Sequence, residues 1–295
     1  MPDAVVSAVI VNYNAGLFLS DCVRAAMPQV SDVLVVDNAS ADTSLSLCSK
    51  QFADAPKLKL IRNSANLGFA AACNIGSKQA TGDFLLFLNP DCSLDPSAVS
   101  ELTRVLKSDD SVGMVGGLLL NPDGSEQGGG RRAIPTPWRS FVRAFGLSRF
   151  AKCWPQLFFD FHLHKQPLPN RPIEVEAISG ACMMVKRAAM TEVGPWDEGY
   201  FLHCEDLDWC MRFRQKGWKI MFVPSARVTH ALGVSSRSRP IFVEWNKHKG
   251  MMRFYRKFFR SQYPGVMMGL VALGVWLRFG LVAGYYTFKR MIGRG

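Results

Sequence analysis

Four apolar, β-rich runs, Val6 to Val11, Val33 to Val36, Leu58 to Ile61 and Phe84 to Leu88, recur at intervals of roughly 25 residues in the first third of the chain. The segments between them, Leu17 to Met27, Thr43 to Phe52 and Gly68 to Ala80, have helical spacing or helical composition. Parallel strands need a crossover of a dozen or more residues, usually a helix, so this alternation predicts an α/β fold with a parallel sheet and helices on both faces. No residue-level repetition accompanies the spacing, so the repeat is architectural. With 295 residues, 48% hydrophobic and 20% charged, the chain has apolar mass for one large domain or two modest ones, and disorder and collagen-like architecture are excluded.

The residues that end each run are polar. The first run ends in Asn12-Tyr13-Asn14, the second in Asp37-Asn38, the third in Arg62-Asn63 with Asn66 just beyond, and the fourth in Asn89-Pro90-Asp91. Open α/β sheets bind ligands at the carboxyl ends of their strands, so these polar side chains predict a nucleotide-sized crevice there. Asn and Asp also favour turns and helix N-caps, which accounts for any one of the four positions but less readily for all four in order.

Residues 118–172 change character: NPDGSEQGGGRRAIPTP is turn-rich, and the stretch after it mixes aromatics and prolines without a clear period, which reads as a mobile loop and an irregular insertion. Strands are expected again at Ile173 to Ile178 and Cys182 to Val185, with a turn or bulge at Ser179-Gly180-Ala181. A helix from about Asp206 to Gln215 should stop at Gly217, ahead of a strand at Trp218 to Val223.

Three places carry chemistry. Asp91 emerges at a strand end behind a proline, where one carboxylate beside phosphate oxygens suits Mg²⁺ or Mn²⁺; an Asx-turn explains the same residues. Glu205-Asp206 precedes a helix and is flanked by Phe201, Leu202, Leu207 and Trp209. Dipole stabilisation needs only one acid, and a partly buried carboxylate of raised proton affinity would suit a general base. His230 ends the run FVPSARVTH and offers a neutral imidazole, although a lone histidine is more often a plain surface or core residue. The eight cysteines show neither a CxxC pair nor zinc-ligand spacing, and with the 13 methionines they read as reduced core filling in a cytosolic chain. The N-terminus MPDAVVSAVIVNYN carries an acid where a secretory leader needs a basic region, and reads as a first strand.

Taken in order, VSAVIVNYN, VLVVDNASAD, NLGFAAACNIGSKQA, FLLFLNPD, ISGACMMVKRAAMTEVGPWDEGYF, CEDLDWCMRFRQKGW and VPSARVTH resemble the family 2 inverting glycosyltransferases, and most of all their bacterial rhamnosyltransferase-like branch. The resemblance covers roughly residues 5–230. It implies the GT-A fold, a Rossmann-like nucleotide-binding sheet merged with an acceptor-binding half. The catalytic domain would then be 1–230, with a nucleotide-sugar half at 1–117, the insertion at 118–172 and an acceptor and catalytic half at 173–230. By position it places Asn12, Tyr13, Asn14, Asp37, Asn38, Asn66 and Asn89 around the donor. Asp91 matches the last acid of the metal-binding DxD signature, with Asn89 standing where the first acid would be, and His230 matches a histidine that completes the metal site. Glu205-Asp206 matches the dyad that supplies the base, Asp206 being favoured with Glu205 in reserve. Gly180 and Trp196 match positions near the acceptor and sugar. The implied reaction is transfer of a sugar, rhamnose first, from a nucleoside diphosphate to a lipid-linked or polysaccharide acceptor in cell-surface glycan synthesis, assisted by Mg²⁺ or Mn²⁺. Gly128-Gly129-Gly130-Arg131-Arg132 would either close over the diphosphate or stand in solvent.

Charge is uneven. Residues 1–230 hold 23 basic and 23 acidic side chains, whereas 231–295 hold 12 against 1 and so carry the entire net +11. Those bases flank the apolar stretch Gly265 to Phe288, which points to anionic lipid rather than nucleic acid. Arg278 near its middle would be costly in hydrocarbon, so a surface-embedded helix or helical hairpin is expected over a clean span. That places the protein, peripheral or monotopic, on the cytoplasmic face of the plasma membrane. A silent nucleotide-sugar-binding scaffold or sensor is the alternative. A nucleotidyltransferase would need a basic glycine-rich loop where Asn12-Tyr13-Asn14-Ala15 stands.

Overall fold

The computed structural model describes residues 5–144, 146–154, 156–158, 161, 163–231, 233 and 239–292; the first four residues of the N-terminal stretch lie outside it. The chain forms two compact units, Met1–Ala133 with His162–Phe201 and Glu205–Ser235, and Ile134–Phe161 with Leu202–Cys204 and Ser236–Gly295.

The first unit is built on strands β1 (Val6–Asn12), β2 (Asp32–Asp37), β3 (Leu58–Arg62), β4 (Phe84–Leu88), β5 (Cys92–Leu94), β6 (Val112–Leu120), β7 (Arg131–Arg132), β8 (Ile173–Glu174), β9 (Ala177–Ile178), β10 (Cys182–Lys186) and β11 (Lys219–His230). Nine of them form one sheet in the order β3-β2-β1-β4-β10-β6-β11-β5, with β8 also paired to β11; β7 and β9 form a separate ribbon. The four recurring runs are β1 to β4, mutually parallel as expected. Their registers align the ends: Asn12 lies beside Asp37, and Asp37 beside Arg62.

Helices α1 (Phe18–Ala26), α2 (Ser44–Gln51), α3 (Phe69–Gln79) and α4 (Ala98–Ser108) supply the crossovers. Residues of α1, α2 and α4 share one core cluster with Ala8, Ile10, Val33 and Val35. On the opposite face α3 approaches β1 so closely that a Cβ at Gly76 would stand 2.5 Å from Val9 Cγ1. Every residue of β1, β2, β4 and β6 is buried, which is why these strands read as continuous apolar runs without alternation.

Beyond β4 the sheet departs from the parallel expectation. β10 enters between β4 and β6 antiparallel to both, with Cys182 opposite Leu88 and Met184 opposite Val115. The single strand expected over Ile173 to Ile178 is two: Ile173–Glu174 pairs with β11, and Ala177–Ile178 with β7, because the two halves of the run meet different partners. The strand at Trp218 to Val223 continues to His230, with a shift of register between Val223 and Arg227. The insertion is divided too: β6 uses it to Leu120, β7 lies within it, and Ile134–Phe161 belongs to the second unit. Helices α5 (Pro137–Ala144), α6 (Arg187–Val193) and α7 (Glu205–Gln215) come next in chain order; α7 begins at the acid pair.

The second unit contains α5, α8 (Pro240–Phe258) and α9 (Gly265–Ile292). Tyr255 of α8 donates to Ser140 Oγ of α5 at 2.7 Å. α8 and α9 form a hairpin closed by Trp245, Trp276 and Phe279, ring centroids 5.1–5.9 Å apart. Arg278 is exposed, with its Nη1 3.1 Å from Nε2 of buried His248. Val266, Leu270, Leu273, Leu277, Leu281 and Phe288 are all exposed, at spacings that repeat one helix face. Among the described residues α9 alone is long and apolar enough to cross a membrane, by length and composition.

Gly68, the residue before α3, has φ +88° and ψ 169°, a region open essentially to glycine, and a Cβ there would meet Phe201 O at 2.6 Å. Gly68→Ala should therefore destabilise the fold by about 1–3 kcal/mol or more, read as a lower urea midpoint at unchanged slope.

Candidate active site

Polar residues at the strand ends form three linked groups in the first unit. At the ends of β1 and β2, Asn12 Nδ2 lies 2.7 Å from Asp37 Oδ1, 2.9 Å from Ser44 Oγ and 3.1 Å from Ser40 Oγ. Ser40 also donates to Asp37 Oδ1 at 2.6 Å, and Asn14 Oδ1 accepts from the backbone of Ala41 and Asp42. Asn12 is fully buried behind Asp37. Half-buried Tyr13 and Asn14 come after it at the rim. Asn38 donates to Gly68 O at 3.1 Å and accepts from Asn63, while half-buried Asn66 accepts from Gly68 N at 3.0 Å.

The second group lies at the ends of β4 and β11. His230 Nε2 is 3.1 Å from Asp91 Oδ1 and 3.3 Å from Asn89 Nδ2, and its Nδ1 is 2.7 Å from Gln127 Oε1. Asp91 and His230, 139 positions apart in sequence, meet because β11 pairs with β5, His230 opposite Cys92. Asp91, Cys92 and His230 each bring a potential ligand atom within 4.8 Å of the others. Cys92 is the poorest donor of the three: its thiol donates to Ala181 O at 3.2 Å, and burial pushes its pKa well up. At 3.1 Å the carboxylate and imidazole form an ion pair when the ring is doubly protonated; with the ring neutral they offer a divalent cation one oxygen and one nitrogen donor.

The third group surrounds the acid pair at the start of α7. Asp206 Oδ2 is ion-paired with Arg132 and accepts from Gly180 N at 3.3 Å, and Oδ1 accepts from Leu207 N at 2.7 Å. Glu205 is buried, its Oε2 has no partner, and desolvation together with the Asp206 charge pushes its pKa up to about 8. Burial therefore falls on Glu205, while Asp206 lies against the Arg132 guanidinium. Asp208, wholly buried, accepts from Tyr200 OH at 3.1 Å and from Arg212 Nε at 2.7 Å; the same guanidinium reaches the carbonyls of Val193, Gly194 and Pro195. The third acid of the motif is thus a structural latch.

Backbone pairing joins the groups. Asn89 N donates to Ala181 O at 3.0 Å, which sets Gly180 beside the Asn89–Asp91 turn, and Phe69 N donates to Phe201 O at 2.9 Å. A Cβ on Gly180 would lie 3.4 Å from Asp206 Cβ and 3.6 Å from Phe69 Cε1. Among the described residues, the non-glycine residues with positive φ are Asn14, Ala39, His203 and Cys204, every one next to these groups in sequence. Such backbone strain concentrates at functional sites.

Residues 7–194 match the model of glycosyl transferase family 2. The chain belongs to that family. It is 30% identical over 241 residues to the N-acetylglucosaminyl-diphospho-decaprenol L-rhamnosyltransferase of Mycobacterium tuberculosis, spanning 77% of this chain and 76% of that one. This glycosyltransferase is rhamnosyltransferase-like. Two solved structures share its fold: GalNAc-T7 with UDP, GalNAc and Mn²⁺ (TM-score 0.62, 19% identity, 86% of this chain but 48% of that one) and the mannosyltransferase PcManGT of Pyrobaculum calidifontis with GDP-Man and Mn²⁺ (TM-score 0.58, 15% identity, 93% and 70%). The chain thus spans about half of GalNAc-T7, and the likeness establishes the GT-A fold.

Two expectations for this glycosyltransferase need correction. Trp196, expected near the sugar, is 1% exposed and packs among Phe69, Phe87 and Trp209, with its Cη2 3.7 Å from where a Gly180 Cβ would be; it backs the site rather than lining it. The glycine-rich loop is not a free flap either. Arg131 is buried, paired with Glu126 at 2.7 Å and set over the Phe222 ring, while Arg132 meets Asp206. Gln127 and Asn74, which brackets Trp196 by donating to its carbonyl and accepting from its N–H, carry no local sequence signal.

The raised Glu205 has a consequence for stability. An acid that holds its proton more tightly when folded contributes stability below its unfolded pKa of 4.5 that is lost as pH rises toward about 8. Glu205→Gln should match the parent below pH 4.5 and gain on it progressively to about pH 8, in thermal unfolding measured across that range.

Proposed function

We propose that this glycosyltransferase moves a sugar, rhamnose first, from a nucleoside diphosphate to a lipid-linked acceptor by a single in-line displacement that inverts the anomeric carbon. The observation that carries this reading is the β4–β10 pairing, which sets Asn89–Asp91 and Gly180–Asp206 on one rim of the sheet. A leaving group held at one and a base at the other would approach a sugar carbon from opposite sides. The rhamnosyltransferase relative, named for a decaprenol-linked acceptor, supports the sugar and the acceptor class.

Asp37, with Asn12 behind it, and Tyr13, Asn14, Asn38 and Asn66 bind the base and ribose of the donor. Asp91 and His230 would hold Mg²⁺ or Mn²⁺, which when bound neutralises charge developing on the departing diphosphate. The two structural neighbours crystallised with Mn²⁺ support this use of a divalent ion. Asp206 takes the proton of the attacking hydroxyl. An ionised carboxylate has about four lone-pair sites, and Arg132, Gly180 N and Leu207 N occupy three, so one remains for that hydroxyl. Glu205, whose buried carboxyl holds its proton more tightly, stands in reserve for the same role.

The α8–α9 hairpin rests on the anionic cytoplasmic leaflet. α8 carries five of the segment's bases alongside α9, so the pair cannot both enter hydrocarbon, and Arg278 has His248 of α8 as a partner. Basic residues near such a surface are worth about 1 kcal/mol each, an attraction that salt screens.

Asp206→Asn should lower turnover by about 10²–10⁴-fold while nucleotide-sugar binding persists. Asp91→Ala should weaken Mn²⁺-dependent donor binding, and EDTA should stop transfer; release of nucleoside diphosphate reads both, and near-parental turnover by the Asn variant would remove the base. The full chain should float with vesicles containing anionic lipid, bind neutral vesicles less, and be released in part by high salt. Equal binding to both lipids would refute the electrostatic part.

A further inference from the structure

Gln127 lies 103 positions before His230 in sequence, just past β6, and is 4% exposed. Its backbone N–H donates to Leu119 O at 2.8 Å, which anchors it beside the sheet. The side-chain amide grips His230 twice: Oε1 lies 2.7 Å from Nδ1, and Nε2 donates to the histidine's own carbonyl at 3.2 Å. Nε2 also donates to Asn121 Oδ1 at 3.0 Å.

These contacts settle the hydrogen positions. The amide end that faces two oxygen acceptors must be the NH₂, so the end facing the ring is an acceptor, and Nδ1 must carry a hydrogen. In a neutral ring Nε2 is then left with its lone pair, and Asn89 Nδ2, a donor, stands 3.3 Å from it. Asp91 Oδ1 faces the same nitrogen at 3.1 Å, so with the ring neutral two ligand atoms, a carboxylate oxygen and an imidazole nitrogen, face one space. A cation there would relieve their repulsion.

We infer that Gln127 is the positioning residue of the cation site: it holds His230 in the Nδ1–H tautomer and fixes the ring plane so that the Nε2 lone pair points beside Asp91. The inference rests on the reading of Asp91 and His230 as cation ligands. Partners that orient a ligating histidine through its other nitrogen commonly change metal affinity about 10–100-fold when removed. Gln127 acts through the ring and touches neither substrate nor reacting atoms.

The test uses the full chain labelled with ¹⁵N-histidine, with the His230 signals assigned by their loss in His230→Ala. Long-range ¹H–¹⁵N spectra of the metal-free protein should show His230 protonated at Nδ1. Gln127→Met, close in volume but lacking the amide, should shift the ring toward the Nε2–H form and raise the dissociation constant for Mn²⁺ alone, followed by the EPR signal of the free ion, about 10–100-fold. Gln127→Glu keeps an acceptor against Nδ1 and should retain both the tautomer and most of the affinity. A tautomer unchanged in Gln127→Met would overturn the inference. So would equal weakening by both variants, because that is the pattern of a merely structural residue. Undiminished Mn²⁺ affinity in His230→Ala would instead overturn the cation reading, and the tautomer comparison keeps the two failures apart.

Discussion

The antiparallel entry of β10 between β4 and β6 is the constraint on which the candidate site depends. Parallel strands bring the ends of β1 to β4 to one rim, with Asn12, Asp37, Asn66 and Asp91 at or just beyond them. A site made of these alone would lack the acid pair of α7. Running β10 the other way brings its beginning, not its end, to that rim, so Gly180 and Ala181 arrive beside Asn89. Asp206 then meets Gly180 N–H. Backbone hydrogen bonds between buried strands such as β4 and β10 are costly to break, so the sheet holds the Asn89 turn and the Gly180–Ala181 segment together.

Within that frame, burial sorts two neighbouring carboxyls. Glu205 and Asp206 are adjacent in sequence, yet one is enclosed and keeps its proton while the other lies against a guanidinium and a backbone N–H. Like charges so close do not both ionise readily, and the environment decides which yields. Arg132 contributes from β7, held in register by the two-residue pairing with β9. Its neighbour Arg131 is turned inward onto Glu126.

Much of this was legible in the chain because of one property of parallel sheets. Strands covered on both faces, here β1, β2 and β4, appear as apolar runs, and together with the edge strand β3 they were visible with ends within a residue of their observed positions. The polar residues just after them could be read as a rim for the same reason. Strand direction could not: nothing in CMMVK distinguishes a strand parallel to β4 from one antiparallel to it, since pairing is a property of the assembled sheet. The split of Ile173 to Ile178 had the same origin. Flanking aromatics suggested a buried carboxylate in the acid pair, but adjacency in sequence does not say which of two neighbours turns inward. Trp196 shows the converse limit, as a motif can place a residue near a site without saying whether it stands before the wall or behind it. Gln127 left no trace in a stretch of glycines and turn formers, because its significance comes from a contact 103 positions away.

The latch formed by Asp208, Tyr200 and Arg212 bears on how the reaction would be readied. It ties the first turn of α7 to the carbonyls of residues 193–195, the segment that leads directly to Trp196. On the proposed reading of Asp206 as the base, its aim would be settled by the fold before a sugar is bound. Little reorganisation is then left for the encounter itself, and preorganised dipoles and charges of this kind are where enzymes find most of their advantage over water.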